Sequence, residues 1–184
     1  VQQLAAVVNG YVRSAGLDRA VLVGHSMGSQ VVVEAALREP ELASTVVVMG
    51  CVVDPAARSA PRQGLRLLHD FLLETPGANW AVLQDYLRTG PRWYLRTVPH
   101  MLAYRTEEAV VRLGLPLLVV RGARDPIAGH DWAEQLRRLA PVARLVEIPG
   151  AAHVVMHTRP AEVATAVLAH CADVERQHRP TREG

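Results

Sequence analysis

A serine with a glycine two residues before it and two after it, Gly24-His25-Ser26-Met27-Gly28, constrains this chain more than any other feature. An apolar, β-branched run, Val21-Leu22-Val23, comes before it. A helix-forming stretch, Gln30 to Arg38, comes after it and is stopped near Pro40. That order of strand, glycine-flanked serine and helix is the context of a nucleophile elbow. The turn is so tight that the serine backbone is strained and its hydroxyl stands clear of the sheet. A Cβ at Gly24 or at Gly28 is expected to collide with the neighbouring chain. At a glycine usage of roughly 7%, about one chain in twenty of this length shows the pattern by accident. The flanking strand and helix therefore carry the argument, not the motif alone.

Composition narrows the class. With 184 residues, 49% of them hydrophobic, the chain suits one domain with a real core. The net charge is +2, and all 20 basic residues are arginines scattered along the chain. No basic stripe is interleaved with aromatics, so nucleic acid is not an expected partner. Cys51 and Cys171 lie far apart without metal-ligand spacing. They predict a reduced, cytoplasmic compartment and neither a metal nor a cofactor. No apolar run reaches the roughly 18 residues of a membrane span, and no signal peptide is visible. The chain does not begin with methionine, which points to an incomplete polypeptide.

Helical spacing of Leu4, Val7, Val8, Tyr11, Val12 and Ala15 predicts a helix over 3–15. Thr45 to Met49, Pro116 to Val120 and Arg144 to Ile148 read, with Val21–Val23, as the strands of a buried parallel sheet. Residues 54–113 lack any such run. They predict helices around 64–74, 79–89 and 92–104, with Pro99 kinking or ending the last. This region holds Trp80, Trp93, Phe71 and three of the four tyrosines. Most of these aromatics are expected simply to pack in the core of the helices. A lid shaping a substrate pocket accounts better for an all-helical insert between two strands, with Trp80, Trp93 and Tyr94 as candidate substrate contacts. Trp132, Leu136 and Leu139 mark a further helical face. A final helix starts near Pro160 with Val163, Val167, Leu168 and Cys171 inward, and the chain frays from Glu175.

In a parallel sheet ligands bind beyond the carboxyl ends of the strands. Ser26, Asp125 and His153 each lie just past such an end. A serine hydroxyl needs a base to take its proton; His153 can do so, and a buried Asp125 can orient the ring and balance its charge. The Met27 N–H can donate to an oxyanion. Asp54 is a rival acid and His157 a rival base, while His25 reads as a structural part of the elbow.

These segments resemble the α/β-hydrolase superfamily: G-H-S-M-G at 24–28, P-L-L-V-V-R-G-A-R-D-P at 116–126 and P-G-A-A-H at 149–153. The order serine, aspartate, histidine is also that family's. The resemblance implies a partial α/β-hydrolase fold with about four parallel strands flanked by helices. It divides the chain into a core of 1–53 and 114–175, a helical cap of 54–113 and a polar tail of 176–184. It implies a serine hydrolase forming an acyl-enzyme on a small-molecule ester, thioester or lactone. A carbon–carbon bond hydrolase, a non-catalytic scaffold and an inactive fragment are the alternatives. Ser29 stands where many members have another glycine. The family's first four strands have no counterpart here, nor does the loop after the third strand that supplies a second oxyanion donor. Loss of such a donor costs about 2.7–4 kcal/mol of transition-state stabilisation. We therefore expect the C-terminal portion of a longer hydrolase, weak or inert alone, with an exposed apolar edge at Val21–Val23 that invites self-association.

Overall fold

The structure, a computed structural model, describes residues 1–178, except for the side chains of Pro91, Tyr94 and His178. Four parallel strands lie in the order β1 (Ala20–His25), β2 (Ala43–Met49), β3 (Leu117–Gly122) and β4 (Ala143–Ile148). Helix α1 (Gln2–Ser14) precedes β1, and α2 (Met27–Arg38) joins β1 to β2. Between β2 and β3 come α3 (Ala60–Leu73), α4 (Pro76–Thr89), α5 (Pro91–Ala103) and α6 (Thr106–Val111). Helix α7 (His130–Leu139) joins β3 to β4, and α8 (Val155–Thr158) and α9 (Pro160–His178) end the described chain.

Alternation along each strand divides the core into two layers. Leu22, Val46, Val48, Leu117 and Val119 face α1, α2, α6 and α7, sharing one apolar cluster with Val33, Val110, Trp132 and Leu136. Val47, Met49, Leu118, Val120 and Ile148 face the other way, onto Val155 and Val163 of α8 and α9. Strands β2 and β3 are covered on both faces, which is why their sequences are continuous apolar runs. Strand β1 differs. Helix α9 packs on β2, β3 and β4, so Val21 and Val23 remain 39% and 45% exposed at the edge of the sheet, as expected.

Helix α5 spans nearly the expected 92–104 and runs through Pro99 without ending there. Two expectations are corrected. Leu168 is not an inward residue of α9 but lies 68% exposed, with no described element covering that side of the helix. The chain stays helical from Glu175 to His178, and the rest of the polar tail lies outside the described residues. Helix α6, which its short apolar stretch did not signal, packs against α2 and α7 and places Ala109, Val110 and Leu113 in the main core. Where the insert leaves and rejoins the core, Arg58 donates to both carboxylate oxygens of Glu107 at 2.7 Å and to the carbonyls of Leu102 and Tyr104. One side chain thus ties the two ends of the insert together.

Candidate active site

The elbow has the strain its sequence predicts. Ser26 sits at φ 54° and ψ −122°, between the last residue of β1 and the first of α2. Its N–H donates to the Met49 carbonyl at 2.9 Å, which extends the β1–β2 pairing into the turn. A Cβ on Gly24 would lie 2.3 Å from the Gly28 carbonyl oxygen, so Gly24 must be glycine. The expectation for Gly28 is corrected: a Cβ there meets nothing within 4 Å. The close approach is made by Gly28's own carbonyl against the Gly24 Cα, so only one partner needs to lack a side chain. Ser29, fully buried, donates to the carbonyls of Gly24 at 3.0 Å and Met49 at 3.3 Å, pinning α2 to both strands. Gly24→Ala is expected to destabilise the fold by about 3 kcal/mol or more, since the clash is with backbone. Gly28→Ala, in a first helical turn, should fall within about 1 kcal/mol of wild type. Paired urea melts test the contrast, and equal losses would contradict the geometry.

Asp125 follows β3 and is held by its own loop. Its Oδ1 accepts from the N–H groups of Ile127 at 2.8 Å and Ala128 at 3.0 Å. Buried Arg121 donates to the carbonyls of Ala128 and Asp125 from beneath and pairs with Glu147. The second carboxylate oxygen, Oδ2, accepts from His153 Nδ1 at 2.9 Å. The Asp125 side chain is 0% exposed and that of His153 7%, so the pair is shielded from water. Burial alone would raise the Asp125 carboxyl, but the His153 contact and the two loop N–H groups hold it below its ordinary value. Burial likewise opposes charge on His153. The hydrogen bond and charge of Asp125, aided by Asp70 and Glu74, outweigh it and raise the imidazole pKa. Gly50, at φ +52° just after β2, leaves room for this pair: a Cβ there would come within 2.9 Å of the His153 ring.

His153 is gripped by its backbone as well. His25, in the elbow, donates from Nε2 to the His153 carbonyl at 3.1 Å, and the two rings lie 4.8 Å apart. Burial, with the nearby His153 charge, pushes His25 down to about 4, so it is neutral at ordinary pH and serves as a fixed donor. From the insert, Asp70 Oδ1 accepts the His153 N–H at 3.1 Å, and Glu74 Oε1 accepts the Val154 N–H at 2.6 Å. Neither carboxylate carries a sequence signal, because nothing local distinguishes them from surface acids on an amphipathic helix. The rivals lie elsewhere. Asp54 accepts from Ala56 N–H and from Arg66, and His157 is exposed on α8.

Ser26 Oγ makes no hydrogen bond to His153 among the described residues. Met27 opens α2, where first-turn N–H groups are free of intrahelical partners and the helix dipole favours negative charge. Around it, Val52, Val53 and Ile127 form an apolar cluster with Met27, with Leu67 of α3 and with Met101 and Leu102 of α5. Those aliphatic side chains, rather than the predicted aromatics, bring the insert onto the carboxyl end of the sheet. Trp80 is 60% exposed, Trp93 46% and Phe71 56%, so plain interior packing does not account for them. The Tyr94 side chain lies outside the described residues. A cavity of about 440 Å³ lined by Arg19, Val21, Thr45, Cys171 and Glu175 opens at the opposite, amino end of β1 and β2, away from Ser26. Among the described residues there is no cluster of three or more potential metal ligands, and no helix is long and apolar enough to cross a membrane.

A sheet of this order, with a serine elbow after one strand and an aspartate–histidine pair after two others, defines an α/β-hydrolase type of fold. Residues 1–166 match the model of the alpha/beta hydrolase family, and the chain belongs to that family. Over 60 residues, 33% of this chain, it is 47% identical to the uncharacterized hydrolase YugF of Bacillus subtilis. The matched stretch is only 22% of YugF's length. Among solved structures, the esterase RhEst1 from Rhodococcus sp. ECU1013 superposes with a TM-score of 0.71 at 21% identity, over 93% of this chain and 72% of that one. Est816, described as an N-acyl homoserine lactone degrading enzyme, gives 0.76 at 19% identity, over 91% of this chain and 73% of that one. At these identities the two structures speak for the fold.

Proposed function

We propose that the chain carries the nucleophile, base and acid of a serine hydrolase acting on a small carboxylic ester, thioester or lactone through an acyl-enzyme. The observation that carries this reading is the water-shielded Asp125–His153 pair, 2.9 Å apart, beside a serine in a strained elbow. The names of RhEst1 and Est816 support the same substrate classes. The helices α3–α5 act as the cap, and the exposed Trp80 and Trp93, with Tyr94, are candidate contacts for an apolar acyl group. The two unpaired cysteines suit a cytoplasmic setting. The open β1 edge suits pairing with a further strand.

The chemistry follows from the residue types. With its Nδ1 proton donated to Asp125, His153 presents a lone pair at Nε2. As Ser26 Oγ attacks the substrate carbonyl carbon, its proton passes to Nε2 and the carbonyl electrons move onto oxygen. That oxyanion is met by the Met27 N–H. Collapse breaks the acyl C–O bond of an ester or lactone, or the C–S bond of a thioester, and the departing oxygen or sulfur takes the proton from His153. Water then repeats the cycle on the acyl-enzyme, releasing the acid and regenerating Ser26. Neutral His25 does not compete for the proton. The same three groups serve carbon–carbon bond hydrolysis of a diketone, and product analysis with an ester and a diketone separates the two.

One observation favours a second reading, a non-catalytic scaffold: Ser26 and His153 share no hydrogen bond. Contacts of this kind commonly tighten only when substrate binds. A fluorophosphonate probe distinguishes the readings. Its phosphorus should bond to Ser26 Oγ with loss of fluoride, and peptide mapping should place the label there. Absence of labelling, both in this chain and in one extended at its amino end, would sink the enzyme reading.

A further inference from the structure

We propose that Asp70 and Glu74 are positioning residues: Asp70 in the last turn of α3 and Glu74 at its C-terminal cap hold the consecutive N–H groups of His153 and Val154, and so tie the pose of the imidazole to the seating of the insert. The proposal rests on the reading of His153 as the general base. The contacts span 83 and 80 residues of sequence, so they arise only when the insert is docked. They complete a three-sided hold on one residue. The elbow grips the His153 carbonyl through His25, the β3 loop grips Nδ1 through Asp125, and the insert grips the N–H.

Two features argue against mere packing. Leu65, Leu68 and Leu72 of α3 are 60–75% exposed, so that side of the helix contributes little to holding it on the core. Among the contacts that hold it are Leu67 and several polar ones: Arg66 to Asp54 and the Ile127 carbonyl, Arg62 and Gln63 to the carbonyls of Ala56 and Ala57, and the two carboxylates. Moreover, Asp70 is 4% exposed, and burying a carboxylate is a costly way to cap one N–H. Burial first, then the Asp125 and Glu74 charges, push Asp70 up to about 6, against the pull of His153. A neutral amide would accept the same hydrogen bond without that penalty. The charge has a use if His153 must become an imidazolium, which both carboxylates favour. The ionisable groups facing this point are Asp125 from the β3 loop, His25 from the elbow, and Asp70 and Glu74 themselves. His157 and Arg159 share a small cavity with Glu74.

The test separates position from charge. Wild type, Asp70→Asn and Asp70→Ala are compared by NMR titration of the His153 ring and by hydrogen exchange of the His153 amide. Asparagine keeps an acceptor and loses the charge: the His153 pKa should fall, while amide protection stays within about threefold. Alanine loses both: the pKa should fall, protection should drop about tenfold, and kcat should drop more than in Asp70→Asn with KM little moved. Glu74→Gln should likewise lower the His153 pKa. If Asp70→Ala does not fold, Asp70→Asn and Glu74→Gln decide the matter by titration. An unmoved His153 pKa in both, or wild-type amide protection in a folded Asp70→Ala, overturns the proposal. Both readouts are independent of turnover, so an inert wild-type chain would count against the hydrolase reading and leave this result to stand or fall separately.

Discussion

Ser26→Ala is expected to lower turnover of a p-nitrophenyl ester by about 10⁶-fold while leaving the melting temperature close to that of wild type. The two halves of that expectation have separate causes. The backbone at residue 26 is held at φ 54° by the Ser26 N–H bond to Met49 and by the contact of Gly24 with the Gly28 carbonyl. Neither involves the hydroxyl. Alanine has the same Cβ as serine and tolerates that φ no better and no worse, so the elbow stays strained to the same degree. The hydroxyl has no hydrogen-bond partner among the described residues, so its removal orphans nothing. What is lost is the atom proposed to form the acyl bond. The activity to be compared is that of an amino-terminally extended chain, should the 184-residue chain prove too weak to measure. Retention of more than about a hundredth of the rate would move the nucleophile away from Ser26, because the oxyanion donor and binding by themselves account for only a small residue of catalysis.

What could be read from sequence was what is encoded locally. The elbow is legible because its backbone demand falls on one glycine two residues from the serine. The parallel sheet is legible because β2 and β3 are covered on both faces and so carry the continuous apolar runs Val46–Met49 and Leu117–Val120. Asp125 and His153 are legible as candidates because they lie in the loops after β3 and β4, at the carboxyl ends of two parallel strands. Features made by distant segments meeting are not. Gly50 looks like any strand-end glycine until the His153 ring is seen against it. Asp70 and Glu74 look like solvent-facing acids until α3 docks on the histidine loop. Leu168 fits an inward helical face, but among the described residues nothing covers it. Helical spacing suggests that most aromatics of the insert pack in its core, but Trp80, Trp93 and Phe71 lie exposed, because periodicity does not say which helix face meets another element. Gly28 shows the converse error: a symmetric motif suggested a symmetric requirement, while the structure loads it on Gly24.

Asp125→Asn is expected to keep the fold and lower kcat by about 10⁴-fold, and the loop geometry says why the amide cannot rescue itself by rotating. Oδ1 of Asp125 already accepts two N–H groups, from Ile127 and Ala128. An asparagine carbonyl must take that place, because an NH₂ there would face two donors. The NH₂ is then forced toward His153 Nδ1 and donates to it. The ring proton moves to Nε2, where the lone pair needed by Ser26 should be. The same substitution carries a signature in stability. Asp125 has a depressed pKa when folded, so its contribution is present above the unfolded carboxylate value near 4 and is lost as pH falls. His153 has a raised pKa when folded, so its contribution is present below the unfolded imidazole value near 6.5 and is lost as pH rises. The pair therefore stabilises most between about pH 4 and 6.5. The difference in melting temperature between wild type and Asp125→Asn should be largest in that window and shrink toward pH 9. A kcat near wild type would move the acid role to another carboxylate, with Asp54 the first to test. A melting difference that grows with pH would show that His153 is not charged against Asp125 in the folded protein.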